Sequence, residues 1–223
     1  MRSNQMVKRT VRKKPKLDTD TEVRILDAAN VVFVRRGTAG ARMQEIADEA
    51  GVNKALLHYY FRSKSRLAAA VFQRVARGLF QRVSEILGSD ADIEEKVRRV
   101  IRVYLEQLSK TPYAPAYVIS ELNQHPDRAA QFVDAVRHIR EESLNADVLD
   151  TLGKQIRQGV RAGAMRAIST SQFIANLASL CIFPFAARPM LCAILDIDDR
   201  GFLRFIEERK TALPEFFLNA LRP

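Results

Sequence analysis

Tryptophan is absent from the 223 residues, and there are only two cysteines, three histidines and nine glycines. The cysteines, Cys181 and Cys192, lie among apolar neighbours without metal-ligand spacing. They give neither a disulfide framework nor a zinc site, and reduced, buried thiols are expected. No apolar run approaches the roughly 18–20 residues that a membrane span requires. The basic N-terminus is not followed by an apolar stretch, so it does not read as a secretory signal, and the cytoplasm is the expected compartment. The glycines form no phosphate-cradling loop, and there is no nucleophile elbow. His58, His125 and His138 belong to no metal or catalytic motif. These absences weigh against an enzyme, and no cofactor or metal is predicted.

What is present is positive charge, unevenly placed. The formal charge is +10, and through Arg66 there are 15 Lys/Arg against 7 Asp/Glu, whereas the remainder holds 21 against 19. Such asymmetry points the first part at a polyanion, either nucleic acid or an anionic membrane surface. A membrane-binding helix needs an apolar face opposite its basic one. The run from Met6 to Lys16 offers little beyond Met6, Val7 and Val11, so nucleic acid is favoured. Residues 1–20 carry seven basic residues and little apolar content. They read as a flexible arm, either a solvated tail or a segment that lies along phosphates or enters a minor groove.

The apolar fraction of 47% is ample for a core, and its spacing is helical throughout. Ile25, Leu26, Ala29, Val32 and Phe33 share a face, with Asp20 or Thr21 to cap the start and Gly37 to stop it. A short helix is predicted from Ala41 to Glu49, and another from Lys54 to Phe61 with Asn53 as N-cap. Ser63 caps a long helix to about Leu87, with Leu67, Val71, Val75, Leu79, Val83 and Ile86 inward. Asp92 with Glu95 makes a capping-box start for a helix with Val97, Val100, Ile101, Tyr104 and Leu108 inward. After Thr111-Pro112 and Pro115, a short helix ends near Gln124. His125-Pro126 opens the next, carrying Phe132 and later Leu152 and Ile156. Ser169 with Gln172 begins a helix to about Ala187, kinked at Pro184, and the last runs from about Asp199 with a second kink at Pro214. No segment alternates as a strand does, so the fold class is all-α with about nine helices. The domains read as the arm, residues 21–66, and residues 67–223.

The segment from Met43 to Tyr60 has the demands of a helix-turn-helix. Ala47 is small where a second helix must cross closely, and Gly51 sits where a tight turn needs positive φ. Ile46, Val52 and Leu57 fill the joint. The second helix of such a pair lies in the major groove of double-stranded DNA. An ordinary αα-corner shares the apolar spacing and is the alternative reading of this segment.

From Ile25 to Leu67 the chain resembles the TetR family of regulators. Ile25-Leu26-Asp27-Ala28-Ala29, Val32-Phe33 and Gly37 match its first helix and turn. Ile46-Ala47 and Ala50-Gly51-Val52-Asn53-Lys54-Ala55 match its second, and Leu57-His58-Tyr59-Tyr60-Phe61, Ser63-Lys64 and Leu67 match its recognition helix and following cap. The resemblance implies a dimeric repressor released from DNA by a small molecule in the C-terminal domain. By position it makes Lys54, Ala55, His58 and Tyr59 base-edge candidates, and Arg42, Tyr60 and Lys64 phosphate candidates. Three residues depart from the pattern: Thr38 where an aromatic is frequent, Ala41 where a capping Thr is frequent, and Leu56 where a polar residue is frequent. Arg42 is a candidate for the phosphate contact that Ala41 gives up.

Farther along, Arg161-Ala162-Gly163-Ala164-Met165-Arg166 resembles the family element that joins two helices before the dimer-forming pair. A homodimer is expected through residues 171–187 and 199–221, with Phe202, Ile206 and Phe217 in the interface. Candidate walls for a pocket taking a small apolar effector are Phe80, Tyr104, Tyr117, Phe132, Phe173 and Phe183. The alternative function with the same fold is a DNA-binding structural or division factor with a protein partner and no small ligand.

Overall fold

The structure, a computed structural model, describes residues 19–124, 137–138, 141–142 and 146–223. Among them there are ten helices and no strand: α1 (Thr19–Gly40), α2 (Met43–Glu49), α3 (Lys54–Phe61), α4 (Lys64–Leu87), α5 (Ile93–Lys110), α6 (Ala114–Gln124), α7 (Ala146–Arg161), α8 (Thr170–Ala186), α9 (Arg188–Leu195) and α10 (Asp199–Leu221). The all-α expectation holds. The basic arm through Asp18, Phe132 and the opening of the helix after His125 lie outside the described residues.

The capping residues do what their chemistry predicts. The side chains of Asn53, Ser63, Asp92, Ser169 and Asp198 each accept from a backbone N–H three residues on, satisfying donors that a helix start leaves bare. Where no such side chain stands, the helix begins late. Ala41 is buried and outside any helix, and α2 starts at Met43 behind an extended Arg42 that makes no capping bond. The regular part of α1 ends at Gly37 (φ 66°, ψ 167°), as expected.

Two cores result, and α4 belongs to both. Its first turns bring Leu67, Ala68 and Val71 to Ile25, Ala29, Phe33, Ile46 and Leu57. Its later turns bring Leu79, Val83, Ile86 and Leu87 to α5, α7, α8 and α10. Lys96 is fully buried, and its ammonium donates to the Leu87 carbonyl (2.7 Å) and to Gln155 Oε1 (2.8 Å). It thereby caps the end of α4 and ties it to α7, which offsets the cost of burying the charge. Burial still pushes its pKa below the usual lysine range, against the raising effect of Asp90.

Pro184 and Pro214 both lie inside continuous helices. α8 continues through Pro184 to Ala186, and the bend, 75°, comes at Ala187 where α9 departs. Proline removes one helical N–H and so leaves the carbonyl four residues earlier unpaired. That carbonyl, Leu180 O, accepts from Arg209 Nη2 at 2.9 Å, so α10 repairs the defect in α8. α10 likewise runs through Pro214. At the α9–α10 corner a Cβ on Gly201 would stand 2.8 Å from the Ile197 Cβ, so only glycine fits. The helix α9 has no counterpart in the sequence reading.

A further correction concerns the last helix. Phe202, Ile206 and Phe217, expected at a dimer interface, are buried in the protomer's own core. Phe217 meets Phe173 edge-on at 5.3 Å, and Phe202 meets Phe185 at 5.8 Å. The outward apolar residues of this region are others: Phe183 (51% exposed), Ile194 (68%), Leu203 (57%) and Phe216 (62%).

Candidate nucleic-acid interface

The joint between α2 and α3 is built as the sequence requires. Ile46, Ala47 and Leu57 are fully buried. Gly51 stands at φ 64°, and the Val52 N–H donates to the Ala47 carbonyl at 2.9 Å. Asn53 Oδ1 accepts from the Leu56 N–H at 2.8 Å, so α3 begins at Lys54 as expected.

With Leu57 and Phe61 turned inward, α3 leaves Lys54, Ala55, His58 and Tyr59 exposed. All four base-edge candidates therefore share the outer side of one helix. Tyr60 is half-buried against the core, edge-on to Tyr59 at 5.7 Å and stacked with Phe61 at 6.3 Å. Arg42 is exposed at the start of α2.

Lys64, a phosphate candidate by resemblance, is half-buried at the start of α4. Its ammonium donates to the carbonyls of Ala39 (2.8 Å) and Ala41 (3.0 Å). It pins the end of α1 and the turn into α2 to the first turn of α4, holding α2 at its angle. Arg36 Nε meets Glu45 Oε1 at 3.3 Å, and Arg35 pairs with Glu49. These pairs occupy two cations that charge counting alone assigns to DNA. Nothing in the spacing announces them, because nine and fourteen residues separate the partners.

The C-terminal candidates do not converge on one place. Phe173 is fully buried, Phe80 is half-buried, and Tyr104 is partly buried with burial pushing its hydroxyl up to about 12. Phe183 faces outward and so lines no interior wall. Tyr117 packs on the N-terminal core, and its hydroxyl donates to the Ser65 carbonyl at 3.3 Å. Its neighbour Tyr113 donates to Asn30 Oδ1 at 3.1 Å and lies 5.6 Å from Phe33. Tyr113, just before α6, thus reaches α1, and Tyr117, on α6, reaches the first turn of α4, a placement that helical periodicity does not reveal. Both cysteines are free, and burial pushes the Cys181 thiol up to about 12. No group of three metal-ligating side chains gathers among the described residues, nor is any single helix there long and apolar enough to cross a membrane.

Residues 25–71 match the family of bacterial regulatory proteins named for TetR, and residues 94–201 match a tetracycline repressor-like C-terminal domain. This chain belongs to the TetR family. It is a DNA-binding transcriptional regulator. It is similar to the HTH-type transcriptional activator FasR of Mycolicibacterium smegmatis, 39% identical over 82 residues, which are 37% of this chain and 37% of that protein. The match thus spans little more than a third of the activator's length. It is also similar to the HTH-type transcriptional repressor NicS of Pseudomonas putida, 26% identical over 179 residues, 80% of this chain and 82% of that one. Among solved structures, a TetR/AcrR-family regulator from Thermobifida fusca shares the fold, with a TM-score of 0.62 at 18% identity, covering 92% of this chain and 100% of that one. The TetR fold accounts for both the short helices that present α3 and the larger helical body behind them.

Proposed function

We propose that this protein is a homodimeric repressor that reads an inverted-repeat operator with two copies of α3 and leaves it when a small apolar molecule enters the C-terminal domain. The observation that carries the DNA-reading part is the outer side of α3, where Lys54, Ala55, His58 and Tyr59 stand exposed above a fully buried joint. Repression is favoured by the NicS likeness, which runs through most of the chain, whereas the FasR likeness covers 82 residues. Residues 21–66 read DNA, residues 67–223 take the effector and the second protomer, and the arm adds phosphate contacts on the nucleoid.

Dimerisation rests on the outward apolar side chains of α8, α9 and α10 and on symmetry, since a two-fold dimer presents two reading helices to a palindrome. The same side chains would serve a structural factor that docks a different protein. Sedimentation equilibrium at micromolar concentration separates the two. A species of twice the 25.3 kDa protomer mass is expected, and a protomer alone contradicts the proposal.

A further inference from the structure

We infer that His58 reads its base through a lone pair, accepting a hydrogen bond from an exocyclic amino group, adenine N6 or cytosine N4, at one position of each half-site. This rests on α3 being the groove helix.

The imidazole is held from one turn away, at the end of α3. Arg62 stands at φ 57°, ψ −38°, a region that residues with a side chain seldom occupy. The Ser63 N–H reaches back across it to the Phe61 carbonyl, a tight three-residue turn. In this turn the Arg62 carbonyl meets the imidazole of His58, with Nδ1 to O at 3.1 Å. A carbonyl only accepts, so Nδ1 carries the hydrogen and donates it. The Arg62 N–H in return donates to the His58 carbonyl at 2.9 Å. The two bonds close a ring that holds both the orientation and the tautomer of the side chain.

A neutral imidazole with its hydrogen on Nδ1 has a bare lone pair on Nε2. Nε2 has no partner among the described residues, and the side chain is exposed. Lys54 lies four residues earlier, on the same side of the helix, and an ammonium only donates. Lys54 and a neutral His58 therefore offer a donor and an acceptor a turn apart. In the major groove an acceptor finds partners only at adenine N6 and cytosine N4. His58 and Lys54 thus select opposite groups at neighbouring positions of the operator.

The test uses the full chain and an operator selected from a random duplex library. His58→Ala should lose the preference at one position per half-site. Replacing the adenine there by purine, or the cytosine by 2-pyrimidinone, deletes the amino group. That deletion should weaken the wild type about three- to tenfold more than His58→Ala, the scale of one hydrogen bond. A 7-deaza purine at the same position, which removes an acceptor, should affect both proteins alike. His58→Gln keeps an acceptor oxygen and should keep the preference for an amino-bearing base. The inference is overturned if the 7-deaza base alone separates wild type from His58→Ala, or if His58→Ala changes no preference. A wild type that selects no sequence at all would overturn the groove reading as well.

Discussion

The helices α3 and α9 are each eight residues long, yet they turn opposite kinds of surface outward. α3 buries Leu57 and Phe61 and exposes Lys54, His58 and Tyr59, while α9 buries nothing and exposes Met190, Ile194 and Leu195. Eight residues are too few for a helix to persist unaided in water. α3 is held by the joint beneath it and by its Asn53 cap. α9 has no side-chain cap; Pro189 in its first turn and a left-handed Asp196 at its end set its limits. A helix whose free side is polar and basic suits a polyanion, and one whose free side is apolar calls for a covering surface.

The largest expected effect falls on α9. Ile194→Asp puts an unpaired carboxylate where we place the partner protomer, and should weaken dimerisation by about 3 kcal/mol or more. Sedimentation equilibrium reads this directly, and the protomer fold should survive because Ile194 is 68% exposed. An unchanged dimer would leave α9 a surface feature without a partner.

Next comes α3. Lys54→Ala should cost roughly 1–3 kcal/mol on the preferred operator and relax selectivity at one base pair per half-site. Equal weakening on every sequence, measured by titration against a panel of single-base operator variants, would move Lys54 from base to phosphate.

Smaller effects test what holds α3 in place. Asn53→Ala removes the cap and should lower stability by about 1 kcal/mol, weakening DNA binding on all sequences alike. Lys64→Met strips the donor from the Ala39 and Ala41 carbonyls. It should cost about 0.5–1.5 kcal/mol in thermal or urea unfolding. A Lys64 whose only role was to meet a phosphate would leave unfolding untouched and change the salt dependence of binding instead.

The smallest effect is a rate. Cys192 lies half-buried in α9, and Cys181 is fully buried in α8. Since burial pushes the Cys181 thiol up to about 12, it is almost wholly protonated at pH 8 and should resist a thiol reagent until the chain unfolds. Cys192 should react in the folded protein and slow as protein concentration rises and α9 is covered. A Cys192 rate independent of concentration would count against the covered α9.

How much of this was legible beforehand follows from the range of each interaction. Asn53, Ser63, Asp92 and Ser169 were readable as caps because a cap is satisfied three residues away. Gly51 was readable because its turn is local, and so the four exposed side chains of α3 followed. Lys64 on the Ala39 carbonyl and Arg209 on Leu180 were not, being 25 and 29 residues from their partners. An apolar stripe says that a helix is covered without saying by what. Phe202, Ile206 and Phe217 accordingly went into the protomer's own core rather than an interface, and Tyr117 into the N-terminal core rather than a pocket. α9 was not legible because the eight residues Arg188–Leu195 carry no side-chain N-cap to announce a helix start, and they fall between the helix read to about Ala187 and the one read from about Asp199.

Selection of the full chain against a library of random DNA duplexes decides whether α3 reads sequence as one of a two-fold pair. A single enriched inverted repeat is expected, and, with Lys54→Ala, the same repeat degenerate at one symmetric pair of positions. Enrichment of no sequence, or of one without two-fold symmetry, would contradict it.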